Sequence, residues 1–176
     1  MDQRREQALF RQIQQGDTSA ADEVLAEWNG QFVGFLAKMT PFPEAQDIAQ
    51  ESYIVMIQKF HRFSNLEHAK RFLYKAGYRK AIDFIRRAGK KRAVIEALSY
   101  TEPSAQAIGS ADDLYYAVNQ LPPKEKAVVM LRLQQDLSHR EIAAHLGIPI
   151  GTVLYRMHRA VRALRTVLEP ELRREL

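Results

Sequence analysis

The stretch of residues 137–168 constrains the fold most, because it predicts two helices joined by a tight turn. Ser138 followed by Glu141 is a capping box, in which each side chain bonds a free backbone N–H at a helix start. Gly147 supplies the left-handed residue that ends this first helix, and Pro149 prevents it from continuing.

The second helix of this stretch is predicted to begin near Ile150 and to have an apolar side and a basic side. The residues on the apolar side are Val153, Met157, Ala160, Val161, Leu164 and Leu168. Those on the other side are Thr152, Tyr155, Arg156 and Arg159. Residues 150–165 contain four arginines and no acidic residue. Together these features predict a helix-turn-helix that binds DNA, the alternative being a plain helical hairpin with a solvated charged face.

Charge is distributed unevenly along the 176 residues, whose net charge is +5. Residues 64–92 carry ten Lys or Arg against two Asp or Glu, and residues 121–176 carry ten against six. Residues 93–120, which lie between them, carry four acidic residues and no basic one. Two basic blocks separated by an acidic connector indicate two sites for a polyanion.

Composition excludes several classes of protein. Cysteine is absent, which excludes disulfides and thiolate metal sites and fits a reducing cytoplasm, where we expect the protein to act. We find no signal peptide and no apolar run long enough for a bilayer, so no membrane insertion is expected. The histidines lack metal-ligand spacing and no glycine-rich phosphate loop is present, so we expect no metal, no cofactor and no enzymatic activity. These histidines are His61, His68, His139, His145 and His158.

The N-terminal part predicts two helices broken near Gly16, with Trp28 in their core, and a third helix from Glu44 to Phe60. Residues of the third helix that can face a core are Ile48, Val55, Met56, Ile57 and Phe60. A separate stripe contains Asp47, Gln50, Glu51, Ile54 and Gln58. This stripe has few local cations to pair with. A solvated acidic face is the plain interpretation, whereas an apolar Ile54 among carboxylates indicates a protein contact.

A long basic helix is predicted from Leu66 to Arg87, followed by a Gly-Lys-Lys-Arg segment. One stripe of it contains Arg71, Lys75, Tyr78, Arg79 and Arg86, with Tyr74 at its edge. Cations attract phosphate, and an aromatic ring among them offers a flat surface on which an unstacked base can lie. The alternative is a basic helix that is only solvated.

Taken in chain order, these stretches resemble a known family. Residues 47–53 (DIAQESY), the helix from Phe72 to Arg87, and the run from Leu121-Pro122-Pro123 to the Gly-Thr-Val at 151–153 carry the resemblance. The chain resembles the extracytoplasmic-function group of bacterial RNA polymerase sigma factors over nearly its whole length. That resemblance implies an all-α fold of two small helical domains, a helical bundle at 1–92 and a helix-turn-helix domain at 121–176, joined by an acidic flexible linker at 93–120.

The resemblance also implies partners and site residues. A polymerase-binding set (Asp47, Gln50, Glu51 and Ile54) would engage the β′ clamp of core RNA polymerase, with the β flap as a further contact. A first DNA-binding set (Arg71, Lys75, Tyr78, Arg79 and Arg86) would hold the minus-ten promoter element as it opens. A second DNA-binding set would meet the minus-thirty-five element: Arg140, Thr152, Tyr155, Arg156, His158 and Arg159. The linker would thread the polymerase's basic channel, and an anti-sigma protein is a partner that many relatives have.

The chain departs from the family pattern at a few positions. Met56-Ile57 stands where a Trp is usual, Arg79 where an Asn is common, and Leu154-Tyr155 where a Lys-Ser pair is usual. The last two departures leave the promoter sequence open. A stand-alone helix-turn-helix repressor or activator is the alternative function, and it would need neither the acidic stripe nor the Tyr-bearing basic helix.

Overall fold

The computed structural model describes the backbone of residues 3–96 and 117–172, and the side chains of residues 3–89 and 117–166. All regular structure in those ranges is helical, which confirms the predicted fold class. The predicted linker lies mostly outside the described residues, although 93–96 belong to a helix and 117–120 form a helical turn. The predicted domain limits near residues 92 and 121 stay predictions.

The helices are numbered here in chain order. They are α1 (Gln3–Gln14), α2 (Thr18–Ala37), α3 (Phe42–Gln58), α4 (Leu66–Glu96), α5 (Pro123–Gln135), α6 (His139–Leu146) and α7 (Ile150–Leu172), with a short 3-10 helix at Phe60–Arg62. The predicted break near Gly16 is confirmed: Gly16 has a φ of 89°, and the Asp17 carboxylate accepts the N–H of Ala20 to cap α2. Helix α4 continues past its predicted end at Arg87, because one interior glycine costs only about 1 kcal/mol and the alanines, lysines and arginines around it favour helix.

Contacts among the described residues group the chain into two compact units. The first contains the described residues of 1–81 and 144–147, and the second contains the described residues of 82–143 and 148–176. In the part of the chain that the structure describes, no helix is both long enough and apolar enough to cross a membrane.

In the first unit, α2 packs against α1 and α3, and its aromatic residues form the core. The rings of Phe32 and Phe35 lie 5.1 and 5.3 Å from the ring of Tyr74 on α4. Gly77 permits this close packing, because a Cβ atom at that position would lie 2.5 Å from the Phe32 ring. Trp28 is buried in this unit, as predicted.

In the second unit, α5 packs against α7. Val128 and Leu131 of α5 are buried, and so are Val153 and Ala160 of α7, which confirms these two as inner residues, whereas Leu168 lies outside the residues whose side chains are described. The prediction that Val161 also faces the core is wrong, since 42% of it is exposed. Val161 is turned too far around the helix from Val153 and Ala160 to reach the core.

Candidate protein and nucleic-acid interfaces

Helix α3 carries the acidic stripe on its outer side. Asp47, Gln50 and Glu51 are exposed there, and Ile54 is 51% exposed beside them. Ile48, Ala49 and Met56 occupy the inner side and are buried. We refer to Asp47, Gln50, Glu51 and Ile54 together as the α3 face.

The α3 face was predicted to have few local cations, and one of its members, Glu51, has a cationic partner. Lys80 of α4 forms an ion pair with the Glu51 carboxylate. The two residues are 29 positions apart and on different helices, so helical spacing within α3 could not reveal the pair. Because Glu51 already has an ion-pair partner, Asp47 is the better residue to substitute in an experiment on this face.

An apolar groove adjoins the α3 face. The groove has a volume of about 610 Å³ and lies between α2 and α3, with Gly30 and Gly34 of α2 on one side and Gln50 and Ile54 on the other. Phe42, at the start of α3, also lines it and is 58% exposed. Sequence reasoning missed Phe42, although a large apolar residue between two prolines at a helix start is a usable signal. Ile57, which was predicted to face the core, is also partly exposed, so α3 has more exposed apolar surface than its pattern suggests.

Tyr53 lines the same groove, and its hydroxyl group lies in an unusual environment. The hydroxyl oxygen is buried and has no hydrogen-bond partner among the described residues. Burial raises the pKa of this hydroxyl above its ordinary value, and the nearby Tyr74 adds to the increase. The ring contacts Phe32 edge-on, with 5.5 Å between centroids. Tyr53 is therefore held by apolar packing rather than by hydrogen bonding.

The basic residues of α4 follow one another along the helix as predicted, but two of them have acidic neighbours. Arg71 lies 3.7 Å from the Glu67 carboxylate, and Arg86 lies 3.1 Å from that of Asp83. Exposed pairs of this kind contribute only about 0–1 kcal/mol, so phosphate can replace the carboxylate at little cost. Arg79 is exposed and Lys75 is half-buried.

The tyrosines of α4 do not lie where the sequence placed them. Tyr78 is only 5% exposed, so it does not present the open ring that was predicted for base stacking. Tyr74, predicted at the edge of the stripe, is fully buried in the aromatic core. The cause is a buried side of α4 that is wider than predicted and includes Tyr74, Gly77, Tyr78 and Ala81. What remains on the outside is a row of cations without an exposed ring.

The helix-turn-helix has the local geometry that its sequence predicts. The Ser138 N–H donates to Glu141 Oε2 at 2.8 Å, and the Glu141 N–H donates to Ser138 Oγ at 3.3 Å, which confirms the capping box. Gly147 has a φ of 64°, which confirms the left-handed residue after α6. Helix α7 then begins at Ile150, as predicted.

The predicted DNA-binding residues of the helix-turn-helix differ in how exposed they are. Tyr155, His158 and Arg159 are exposed, and Arg140 is exposed on α6. Thr152 and Arg156 are half-buried, on the flank between the outer and inner sides of α7. Arg156 also has an interaction within the protein, and its predicted contact with DNA stays a prediction.

Arg159 is anchored on two sides. Its Nε lies 3.5 Å from Oε1 of Glu125, a carboxylate on α5 that is almost completely buried. Its guanidinium carbon lies 5.8 Å from the centre of the Tyr155 ring, one turn earlier on α7. Sequence reasoning missed Glu125, because nothing in the spacing of α5 connects it to α7. The Arg159 guanidinium therefore contacts both a buried carboxylate and an aromatic ring.

Comparison with known proteins identifies the family. Residues 111–164, which include α5, α6 and α7 as far as Leu164, match the family model described as Sigma-70, region 4. The ECF RNA polymerase sigma-E factor of Salmonella typhimurium (strain LT2) is 24% identical over 185 residues, covering 96% of this chain and 97% of that protein. RNA polymerase sigma factor SigV of Bacillus subtilis (strain 168) is 33% identical over 129 residues, covering 73% of this chain and 78% of that protein. This chain belongs to the extracytoplasmic-function sigma factors.

Two solved structures share the fold of this chain. The sigma factor RpoE of Bartonella quintana, solved with the anti-sigma factor NepR, aligns with a TM-score of 0.62 at 20% identity, covering 84% of this chain and 96% of that one. CnrH, solved with the cytosolic domain of CnrY, aligns with a TM-score of 0.67 at 19% identity, covering 94% and 98%. At such low sequence identity, these similarities show only that the folds are alike.

The sigma factor thus has three sets of candidate interface residues. The α3 face and its groove form one set, the cations of α4 form the second, and the outer side of α7 forms the third. The structure brings the α3 residues together as predicted. It removes the Tyr78 ring from the second set and moves Arg156 to the edge of the third.

Proposed function

We propose that this sigma factor binds core RNA polymerase and directs it to promoters, where it recognises DNA sequence and helps to open the duplex. The observation that carries the proposal is the α3 face, where exposed acidic and amide groups surround an exposed Ile54 next to an apolar groove. Such a surface suits a basic partner that also has apolar side chains, and the β′ clamp of the polymerase is that partner in this proposal.

Promoter recognition is assigned to two surfaces. The α4 cations, Arg71, Lys75, Arg79 and Arg86, would bind the minus-ten element by attracting phosphate. Tyr78 would take part only after a rearrangement of α4 that exposes its ring, because it is buried. The helix-turn-helix would bind the minus-thirty-five element in the major groove through Arg140, Thr152, Tyr155, Arg156, His158 and Arg159.

The remaining parts of the proposal concern partners and place of action. The β flap would contact the C-terminal unit, and an anti-sigma protein would compete with the polymerase. Polymerisation chemistry belongs to the polymerase, so the sigma factor itself would have no enzymatic activity and would act in the cytoplasm. The acidic linker would occupy the polymerase channel that nucleic acid later fills.

Reversal of charge at Asp47 tests the polymerase contact. Asp47→Lys places like charges across the proposed interface, which costs several kcal/mol, so we expect affinity for core polymerase to fall at least a hundredfold. Folding stability should change by only about 0.5 kcal/mol, since Asp47 is exposed. Binding is measured with labelled protein and purified core polymerase, and stability by urea denaturation.

The matched control is Glu6→Lys on α1, which changes the net charge equally but lies outside the α3 face. It should leave polymerase affinity within about twofold of wild type. Normal polymerase binding by a folded Asp47→Lys protein would contradict the assignment of the α3 face. Binding to duplex DNA without any affinity for polymerase in the wild-type protein would favour a repressor or activator instead.

A further inference from the structure

The outer side of α7 begins with apolar residues rather than with charges. Leu154 is 48% exposed and Tyr155 is 61% exposed, and Ile150 at the helix start is also exposed. These side chains stay at the surface, because Val153 and Ala160 place a different side of α7 against α5. Large apolar side chains held at a surface in this way mark a binding site.

The charges around these residues indicate what binds there. Residues 150–165 carry four arginines and no acidic residue, and exposed His158 lies between Leu154 and Tyr155 on the helix surface. The partner therefore combines strong negative charge with isolated apolar points. Duplex DNA has this combination in its major groove, where the thymine 5-methyl group is the apolar feature of the base edges. The first turns of a recognition helix are the part that reaches those edges.

The guanidinium of Arg159 has two neighbours, the Glu125 carboxylate and the Tyr155 ring. Buried Glu125 holds the guanidinium from one side, and the Tyr155 ring lies against it on the other. Because the Arg159 charge already has a carboxylate partner, it is less available to a base edge than an unanchored arginine. Its effect on recognition would instead pass through the orientation of the Tyr155 ring.

We infer that Leu154 and Tyr155 read thymine methyl groups in the upstream promoter element, and that Arg159 is a positioning residue for Tyr155. The inference rests on the proposed function, because it requires α7 to lie in the major groove. It also gives a role to Leu154-Tyr155, the pair that departs from the usual Lys-Ser of the family.

Replacement of thymine by deoxyuridine tests the inference, because it removes the methyl group and keeps the base pair. The upstream element is first selected from a randomised duplex library by holoenzyme made from core polymerase and the full chain. Each thymine of the selected element is then replaced singly, and holoenzyme affinity is measured. We expect a loss of about fourfold at one or two positions, the worth of one buried methyl group.

Variants assign each sensitive position to a side chain. Leu154→Ala and Tyr155→Ala should each bind less tightly and should abolish discrimination at one position, so that the thymine and deoxyuridine duplexes bind equally there. Arg159→Ala should reduce discrimination only at the position that Tyr155 reads. Val161→Ala is the matched control, since Val161 is an exposed apolar residue further along the same helix, and it should retain full discrimination.

Three results would overturn the inference, and they are distinguishable. Equal affinity of wild-type holoenzyme for all thymine and deoxyuridine duplexes would exclude methyl readout while leaving the proposed function intact. Loss of core polymerase binding in Leu154→Ala or Tyr155→Ala, with thymine discrimination retained, would assign this surface to a protein partner. Failure of the holoenzyme to enrich any upstream sequence would overturn the proposed role of α7 as well.

Discussion

At the scale of single residues, Tyr53 shows how packing can outweigh hydrogen bonding. Its hydroxyl is buried beside the apolar groove and has no partner in the described part of the chain. Leaving a buried hydroxyl unpaired costs about 1–3 kcal/mol, so the ring's contacts, including that with Phe32, must outweigh the cost. The sequence could place Tyr53 on α3 but could not show whether a partner reaches its hydroxyl.

Removal of this hydroxyl should not harm the fold. We expect Tyr53→Phe to raise the free energy of unfolding by about 1 kcal/mol at neutral pH, because the unpaired polar atom is lost and the ring contacts stay. Urea denaturation provides the measurement. Tyr155→Phe is the control, and its stability should change by less than about 0.5 kcal/mol because Tyr155 is exposed. A clear loss of stability in Tyr53→Phe would mean that the hydroxyl has a partner after all.

The ionisation of Tyr53 should also make the stability of the protein depend on pH in a predictable direction. Burial raises the pKa of Tyr53 in the folded state, whereas in the unfolded chain a tyrosine loses its proton near pH 10. The folded state therefore holds this proton more tightly, and its stability should fall as the pH rises above about 10. Tyr53→Phe should lack that part of the decrease, so the stability difference between variant and wild type should grow from pH 8 to pH 10.5.

At the scale of helices, periodicity predicted most of the elements and missed what depends on their packing. The capping box, the left-handed Gly147 and the break at Gly16 are local, and each was predicted. The buried side of α4 was predicted too narrowly, because neighbouring residues on a helix are only 100° apart and the core includes Tyr74 and Tyr78. Lys80 with Glu51 and Glu125 with Arg159 each join two helices, so no pattern within one helix could reveal them.

The ion pair between Glu125 of α5 and Arg159 of α7 should affect DNA binding, because it neutralises the charge of Arg159. Glu125→Gln removes the carboxylate that neutralises Arg159, which then becomes available to phosphate. We expect the plot of log affinity against log salt for upstream duplex DNA to become steeper by about 0.9, the worth of one added phosphate contact. Affinity for the duplex is measured for wild type and variant across a series of salt concentrations.

Asp136→Asn is the matched control for that experiment. It also removes one acidic charge from the C-terminal unit, where Asp136 lies 3.5 Å from Arg132. Asn suits the left-handed backbone of Asp136, which has a φ of 47°, so the fold should be retained. An identical salt dependence for wild type and Glu125→Gln would show that Arg159 does not respond to its carboxylate.

At the scale of the whole molecule, the order of segments predicted more than any single segment did. An acidic helix, a basic helix, an acidic connector and a helix-turn-helix each have plain alternatives. Their succession in one chain of 176 residues indicated a sigma factor, and the similarity to SigV over 73% of the chain confirms the family. Sequence alone could not decide which side chains are exposed for DNA, since that depends on how each helix is rotated in its unit.

Initiation by reconstituted holoenzyme tests the central claim most directly. Core RNA polymerase, with and without this protein, is supplied with a randomised promoter library, and the 5′ ends of the transcripts are sequenced. We expect transcripts only when the protein is present, starting at a fixed distance from two enriched upstream elements, and their yield should fall at least tenfold with Asp47→Lys. Transcription that does not depend on the protein, together with binding of the protein alone to duplex DNA, would contradict the account.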